Sequence, residues 1–241
     1  MLPKPVVQSS YSKKEEMKLE NNTNKLDMDK YIEVLETGRK YMEMMNKYQC
    51  AIMEVETKLK VLNSEFSLQY DRNPFESIKS RLKSPRSIID KLGRKMTITD
   101  EKTLEKSIEE NLFDVAGVRV ICAFQEDIYH LAELLIQQDD IRLIRTKDYI
   151  KNPKPNGYRS LHLILEIPVF LKSGKTPVKV EVQFRTIAMD FWASVDHKLR
   201  YKKNVENETE IVEKLKMCAD TISELDNEMQ QIRTMIEQSG Q

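Results

Sequence analysis

Val178–Arg185 reads Val-Lys-Val-Glu-Val-Gln-Phe-Arg, and its strict alternation decides the fold. A period of two belongs to a strand with one face in a core and the other face polar. Val180, Val182 and Phe184 form the first face, and Glu181, Gln183 and Arg185 the second. Upstream, Ala116–Phe124 (AGVRVICAF) is apolar on both faces except for Arg119, as a central strand is. Ile141–Lys147 and Arg159–Ile167 read as two more strands, and a hairpin around Ser173-Gly174 precedes Val178. Glu126–Gln138 and Ile187–Leu199 have helical periodicity. The pattern predicts an α+β fold, a mixed β-sheet of about five strands flanked by helices.

Farther out, the chain turns helical at both ends. Over 27–63, Tyr41, Met45, Tyr48, Ile52, Val55, Leu59 and Leu62 recur at steps of four and three. Over 206–238, Ile211, Leu215, Cys218, Ile222, Leu225, Met229, Ile232 and Ile236 do the same. Such narrow stripes want a helical partner, either within the chain or in another copy. Asp71–Pro74 breaks the first helix, and a second helical stretch is expected after it. Ser84-Pro85 then supplies an N-cap and first-turn pair for a new helix to Lys95. Residues 1–26 are polar and are expected to form a flexible tail. The remainder, 27–241, is expected to be one domain with its core at 74–202.

Bulk properties narrow the function. The 241 residues hold 39 Lys+Arg and 39 Asp+Glu, which argues against a general polyanion or DNA binder. Yet Lys79, Arg81, Lys83, Arg86, Lys91, Arg94 and Lys95 crowd around one acid, Asp90, which suits a small anion. Cys50, Cys122 and Cys218 have no metal-type spacing and fit a reducing compartment. No apolar run approaches the roughly 20 residues of a membrane span, and no signal pattern opens the chain. A cytoplasmic protein is expected.

Three constellations carry chemistry. On a helix starting at Ser84, the residues Ser87, Lys91 and Arg94 share a face. Arg81 and Lys83 sit just ahead of its free amides. This is either a triphosphate cradle or a solvated basic face. Asp114 stands at the mouth of one strand, where Gly117 allows close approach, and Glu181 lies within another. Carboxylates so placed are paired, metal-bound or catalytic, and Mg2+ suits them; Arg119 could instead pair with either acid. The loop Lys154-Pro155-Asn156-Gly157-Tyr158 turns tightly and presents Tyr158, whose ring can stack on a purine or pack at a rim. Lys154, Arg159 and His162 add donors there for phosphate or base. No GxxxxGK[ST], GxGxxG or HExxH motif occurs, and His130, His162 and His197 are dispersed.

Together, SRLKSPRSIIDKLGRK (80–95), FDVAGVRVICAF (113–124), RTKDYIKNPKPNGYRSLHLILEIP (145–168) and VEVQFRTIAMDFWASVDHKLRYK (180–202) resemble the small alarmone synthetases. These are short single-domain members of the RelA/SpoT synthetase family. Arg145-Thr146-Lys147-Asp148 resembles the family's RxKD loop. The resemblance implies a nucleotidyltransferase-like synthetase fold. It also implies Mg2+-dependent transfer of the β,γ-pyrophosphate of ATP to the 3′-hydroxyl of GDP or GTP, releasing AMP and making the alarmone (p)ppGpp of the stringent response. By that match Arg81, Lys83, Ser87, Lys91 and Arg94 hold the ATP phosphates, and Arg81 and Arg119 sandwich the adenine. Asp114 and Glu181 are the magnesium carboxylates, and Glu181 activates the acceptor hydroxyl. Tyr158 stacks on guanine, while Lys147, Lys154 and His162 contact the acceptor and phosphates.

The resemblance further implies a homotetramer through the terminal helices. With no His-Asp dipeptide and no room on either flank for a hydrolase domain, synthesis without degradation is expected. Glu76-Ser77-Ile78-Lys79-Ser80-Arg81 departs from the family's EFxTGR product-activation motif, so stimulation by product is not expected; RNA regulation is not evident. Two rivals stay open: another purine acceptor such as an adenine nucleotide or a tRNA end, and a non-catalytic nucleotide or RNA sensor.

Overall fold

The computed structural model describes the backbone of residues 11–69, 72–95, 104–200 and 208–239, and the side chains of 38–68, 72–94, 105–199 and 209–239. Residues 1–44 and 45–241 form two compact units. Helix α1 is Tyr11–Gln69, so most of the expected tail is helical and residues 1–10 lie outside the described set. In the second unit α1 buries Met45, Tyr48, Ile52, Val55 and Leu59, five residues of the predicted stripe.

Among the described residues, five strands form one mixed sheet in the order β1-β2-β5-β4-β3. They are β1 (Phe75–Leu82), β2 (Ala116–Cys122), β3 (Arg142–Asp148), β4 (Leu161–Leu171) and β5 (Gly174–Thr186). Only β2 and β5 run parallel; β1 with β2, β5 with β4 and β4 with β3 are antiparallel. The hairpin between β4 and β5 closes with Leu171 opposite Gly174, whose φ of 112° only glycine adopts readily. The predicted alternation holds through the centre. Val118 and Val120, Leu161, Leu163 and Leu165, and Val180, Val182 and Phe184 are all buried. Helix α4 (Gln125–Ile136) packs on β2 and β5 and adds Ile128, Leu131 and Leu135 to that core.

One expectation fails. Phe75–Leu82 is an edge strand, not a helix. Phe75, Ile78 and Leu82 fall at helical spacing, but β2 would otherwise present an open edge. Pairing with β1 from Phe75↔Cys122 to Leu82↔Ala116 satisfies that edge, and exposed Lys79 and Arg81 keep the new one from recruiting a further strand. Helix α2 (Pro85–Lys95) begins where predicted, with the Ser87 amide donating to the Ser84 hydroxyl at 3.4 Å as an N-cap bond. Helix α3 (Leu104–Asn111) had no distinct sequence signal; it buries Ile108, and Lys47 of α1 pairs with its Glu109.

Helices α5 (Ile187–Arg200) and α6 (Glu208–Ser239) pack together, with Trp192 Nε1 donating to the Leu215 carbonyl at 3.0 Å. Helix α6 docks through Ala219, Ile222, Asp226 and Arg233, not through the whole predicted stripe. Arg233 and Arg72 both pair with Asp127 and stand 5.1 Å to the centroid of the Phe124 ring. The later part of the stripe faces outward: Ile236 is 67 % exposed, Leu225 57 %, Met229 49 % and Ile232 48 %.

Candidate active site

The face of the sheet opposite the valine core carries a polar band across all five strands. On β5 it is Glu181, Gln183 and Arg185. Register places Gly117 beside Glu181, Arg119 beside Gln183, Arg81 beside Gly117, and His162 on the other side of Gln183. Lys147 of β3 pairs in turn with His162. One end of the band forms a cleft of about 350 Å³ lined by Arg81, Asp114, Gly117, Arg119, Glu181 and Gln183. Arg81 and Arg119 also line an adjoining cleft of about 590 Å³ with Asn156, Tyr158, Arg185 and the α5 residues Ser194 and His197. A Cβ at Gly117 would meet the Arg81 carbonyl at 3.5 Å, an ordinary contact, so the glycine leaves the cleft floor open without being required by the backbone.

Asp114 Oδ2 accepts from Lys83 Nζ at 2.7 Å and from Lys91 Nζ at 2.6 Å. Burial alone would raise this carboxyl's pKa, but the two ammonium groups outweigh it and hold the group below the usual carboxylate range. Its Oδ1 is buried and has no hydrogen-bond partner among the described residues. An ionised carboxylate with one oxygen held by cations and the other unmatched fits a divalent cation. Glu181 lies in the same cleft, and the Asp114 charge opposes its ionisation. Among the described residues no three His, Cys, Asp or Glu side chains cluster as a metal site. Two carboxylates are nonetheless enough for Mg2+, which takes its other ligands from phosphate and water.

Glu181, 9 % exposed, is held from both sides. Gln183 Nε2 donates to Oε2 at 2.7 Å, and His162 Nδ1 lies 3.3 Å from Oε1. Burial opposes its charge, yet these bonds lower its pKa below the ordinary value. Burial, helped by the Arg185 and Lys154 charges, lowers the His162 pKa against the pull of Glu181, which favours the neutral imidazole at pH 7. Arg185 Nη2 donates to the Tyr158 hydroxyl at 2.7 Å, and that hydroxyl is 2.8 Å from His162 Nε2. With a neutral ring, one assignment serves every contact: Tyr158 donates to Nε2, and Nδ1–H donates to Glu181.

The chain of bonds continues outward. Asp190 Oδ1 of α5 accepts from Arg185 at 2.9 Å and from Arg119 at 3.1 Å. Arg119 therefore pairs with neither of the two acids considered from the sequence. Its pKa is pushed down by burial first and then by Arg185 and Arg81, with Asp190 opposing, as expected where several cations converge on one carboxylate.

Other anticipated residues fall as follows. Lys154 Nζ stands 4.7 Å from the ring centroids of both Tyr149 and Tyr158. Ser87 shares a hydrogen bond with Ser84, and Arg94 donates to the Asp90 carbonyl one turn back in α2. Arg159 is a correction: its guanidinium reaches α6, to the Ala219 carbonyl at 3.3 Å and Asp220 at 3.1 Å, so it does not serve the cleft as a donor. Sequence reasoning assigned nothing to Gln183, Arg185 or Asp190. The first two share the strand face of Glu181, a signal that was available; Asp190 is brought in by the packing of α5.

Known proteins of the same build exist. Residues 80–206 match the family model described as the region found in RelA / SpoT proteins. GTP pyrophosphokinase YwaC of Bacillus subtilis is 44 % identical over 190 residues, 79 % of this chain and 89 % of that protein. The crystal structure of small alarmone synthetase 2 from Bacillus subtilis superposes with a TM-score of 0.71 at 42 % identity, covering 81 % of this chain and 98 % of that one. Small alarmone synthetase 1 from the same organism, bound to its product pppGpp, also gives 0.71, at 35 % identity over 78 % and 94 %. By domain, identity and architecture, this chain belongs to the RelA/SpoT family and, within it, to the small alarmone synthetases.

Proposed function

We propose that the chain transfers the β,γ-pyrophosphate of ATP to the 3′-hydroxyl of GDP or GTP and releases AMP. The observation that carries this is Glu181: a buried carboxylate kept ionised by His162 and Gln183 on the floor of a cleft ringed by Arg and Lys. A binding module for phosphates has no use for such an acid, because it would repel the ligand. The names of similar proteins, GTP pyrophosphokinase and small alarmone synthetase, support the same chemistry.

In this reading the acceptor purine stacks on Tyr158, with Lys147, Lys154 and His162 around its phosphates and ribose. Arg81 and Arg119 flank the adenine, and Lys83, Ser87, Lys91 and Arg94 meet the ATP phosphates. Glu181 takes the proton of the 3′-hydroxyl as the oxygen bonds to the β-phosphorus and the bond from that phosphorus to the AMP oxygen breaks. Base assistance of this kind contributes about 10²–10⁴-fold. The fixed cations offset charge developing on the phosphoryl oxygens. Mg2+ held by Asp114 and Glu181 would neutralise phosphate charge and align the two nucleotides.

The outward-facing Leu225, Met229, Ile232 and Ile236 of α6 support assembly into a homotetramer. No described helix is long and apolar enough to cross a membrane, and a cytoplasmic enzyme that synthesises without hydrolysing is proposed. The test is AMP release from ATP with GDP, GTP, ADP or ATP as acceptor, with and without Mg2+. Release that needs a guanine nucleotide and is abolished by EDTA is expected. Equal release with adenine acceptors would move the assignment to another acceptor class, and no release would leave a sensor.

A further inference from the structure

The loop that presents Tyr158 does not stand alone. It begins as a turn in which the Gly157 amide donates to the Lys154 carbonyl at 2.8 Å, with Pro155 and Asn156 at its centre. Gly157 then takes φ 88° and lies directly against α6: a Cβ there would sit 2.4 Å from the Ala219 Cβ and 3.3 Å from the Lys216 Cα. The next side chain but one, Arg159, is largely buried. It donates to the Gly157 carbonyl at 3.1 Å, the Ala219 carbonyl at 3.3 Å and Asp220 Oδ1 at 3.1 Å. Tyr158 is thus flanked on both sides by residues fixed to one turn of α6, Lys216–Asp220. The same helix reaches the end of the strand bearing Glu181, where Thr186 Oγ1 donates to Asp226 at 2.8 Å.

We infer that this turn of α6 is the seat of the acceptor loop, and that Arg159 is a positioning residue for acceptor binding, acting through the orientation of Tyr158. The inference rests on the reading of Tyr158 as the purine platform. A guanidinium that spans a loop carbonyl, a helix carbonyl and a helix carboxylate fixes three points with one planar group, which an ammonium cannot reproduce. The loop leaves the helix with its tyrosine already directed to the cleft, so the acceptor is spared the cost of ordering it.

Initial rates of the full-length enzyme, with each nucleotide varied in turn, test this. Asp220→Ala removes a half-exposed partner and spares the core; Arg159→Lys and Arg159→Ala remove the fork. Each is expected to raise the KM for GDP about tenfold, to leave the KM for ATP within about twofold, and to change kcat by less than about threefold. Gly157→Ala is expected to show the same split more strongly, with partial recovery in Gly157→Ala/Ala219→Gly, where the clashing methyl is gone. Equal rises in both KM values, or no change in either, would overturn the seat. Tyr158→Ala separates the two claims. If it leaves the KM for GDP unaltered, the platform reading falls; if it raises that KM while the Arg159 and Asp220 variants do not, only the α6 seat falls.

Discussion

Replacing Glu181 with glutamine changes one atom in a fully specified network. The carboxylate accepts two hydrogen bonds, from His162 Nδ1 and from Gln183 Nε2. The amide can accept one and must present its NH2 to the other donor. Facing His162, it forces the opposite imidazole tautomer, whose Nε2–H then competes with Arg185 for the Tyr158 oxygen. Facing Gln183, it makes that amide flip and lose its 3.0 Å bond from Arg185. Either way about one hydrogen bond is lost, on the order of 0.5–1.5 kcal/mol, partly offset by removal of a buried charge. For a chain of this size that is a fall in melting temperature of about 1–6 °C at most. Loss of the base should cost about 10²–10⁴-fold in kcat, or roughly 2.7–5.4 kcal/mol of barrier. The assay is AMP release under saturating ATP and GDP, beside a thermal melt and calorimetric binding of each nucleotide. A rate within tenfold of the parent, in a variant that melts normally, would remove Glu181 from the role of base.

Three further outcomes are expected. Tyr158→Phe keeps the ring and deletes the hydroxyl that joins Arg185 to His162; kcat should fall about tenfold while the KM for GDP stays within twofold, measured by initial rates. Ser84→Ala deletes the N-cap of α2 and should cost about 0.5–2 kcal/mol of stability, read in a denaturant melt, with a raised KM for ATP because Lys91 rides on that helix. Asp226 is buried, which raises its pKa despite bonds from Thr186 and Gln125. A raised folded-state pKa means that its contribution to stability is complete below the unfolded value and is lost as pH rises through the folded one. Asp226→Asn should therefore melt higher than the parent at pH 7, and the gap should close as pH falls into the carboxylate range.

The parts of the molecule that sequence revealed are those where one element settles its own fate. β5 declares both faces by alternation, and Ser84-Pro85 carries its own N-cap and first-turn residue for α2. β1 was misread because Phe75, Ile78 and Leu82 satisfy a helical period locally, and only the open edge of β2 selects a strand. The acids and cations were legible by type and order. Their pairings were not: Lys83 and Lys91 meet on Asp114, and Arg119 turns to Asp190, because separate elements converge there. Arg159 looked like a ligand for phosphate since charge is visible in a sequence and direction is not. The α6 stripe was visible as a stripe, but which of its residues dock and which face outward depends on where Ala219 meets Gly157.

The two faces of β5 interleave residue by residue, so the valines of the core and the acid of the cleft share one ladder of bonds to β2 and β4. A slip of one residue would drive Glu181, Gln183 and Arg185 into the hydrophobic interior and turn Val180, Val182 and Phe184 out towards the nucleotides. No such misaligned molecule could persist as a compact impostor, because three unmatched polar side chains would unravel it. Assembly errors in this sheet should reach the cell as unfolded chains fit for disposal, not as dead enzyme that still sequesters ATP.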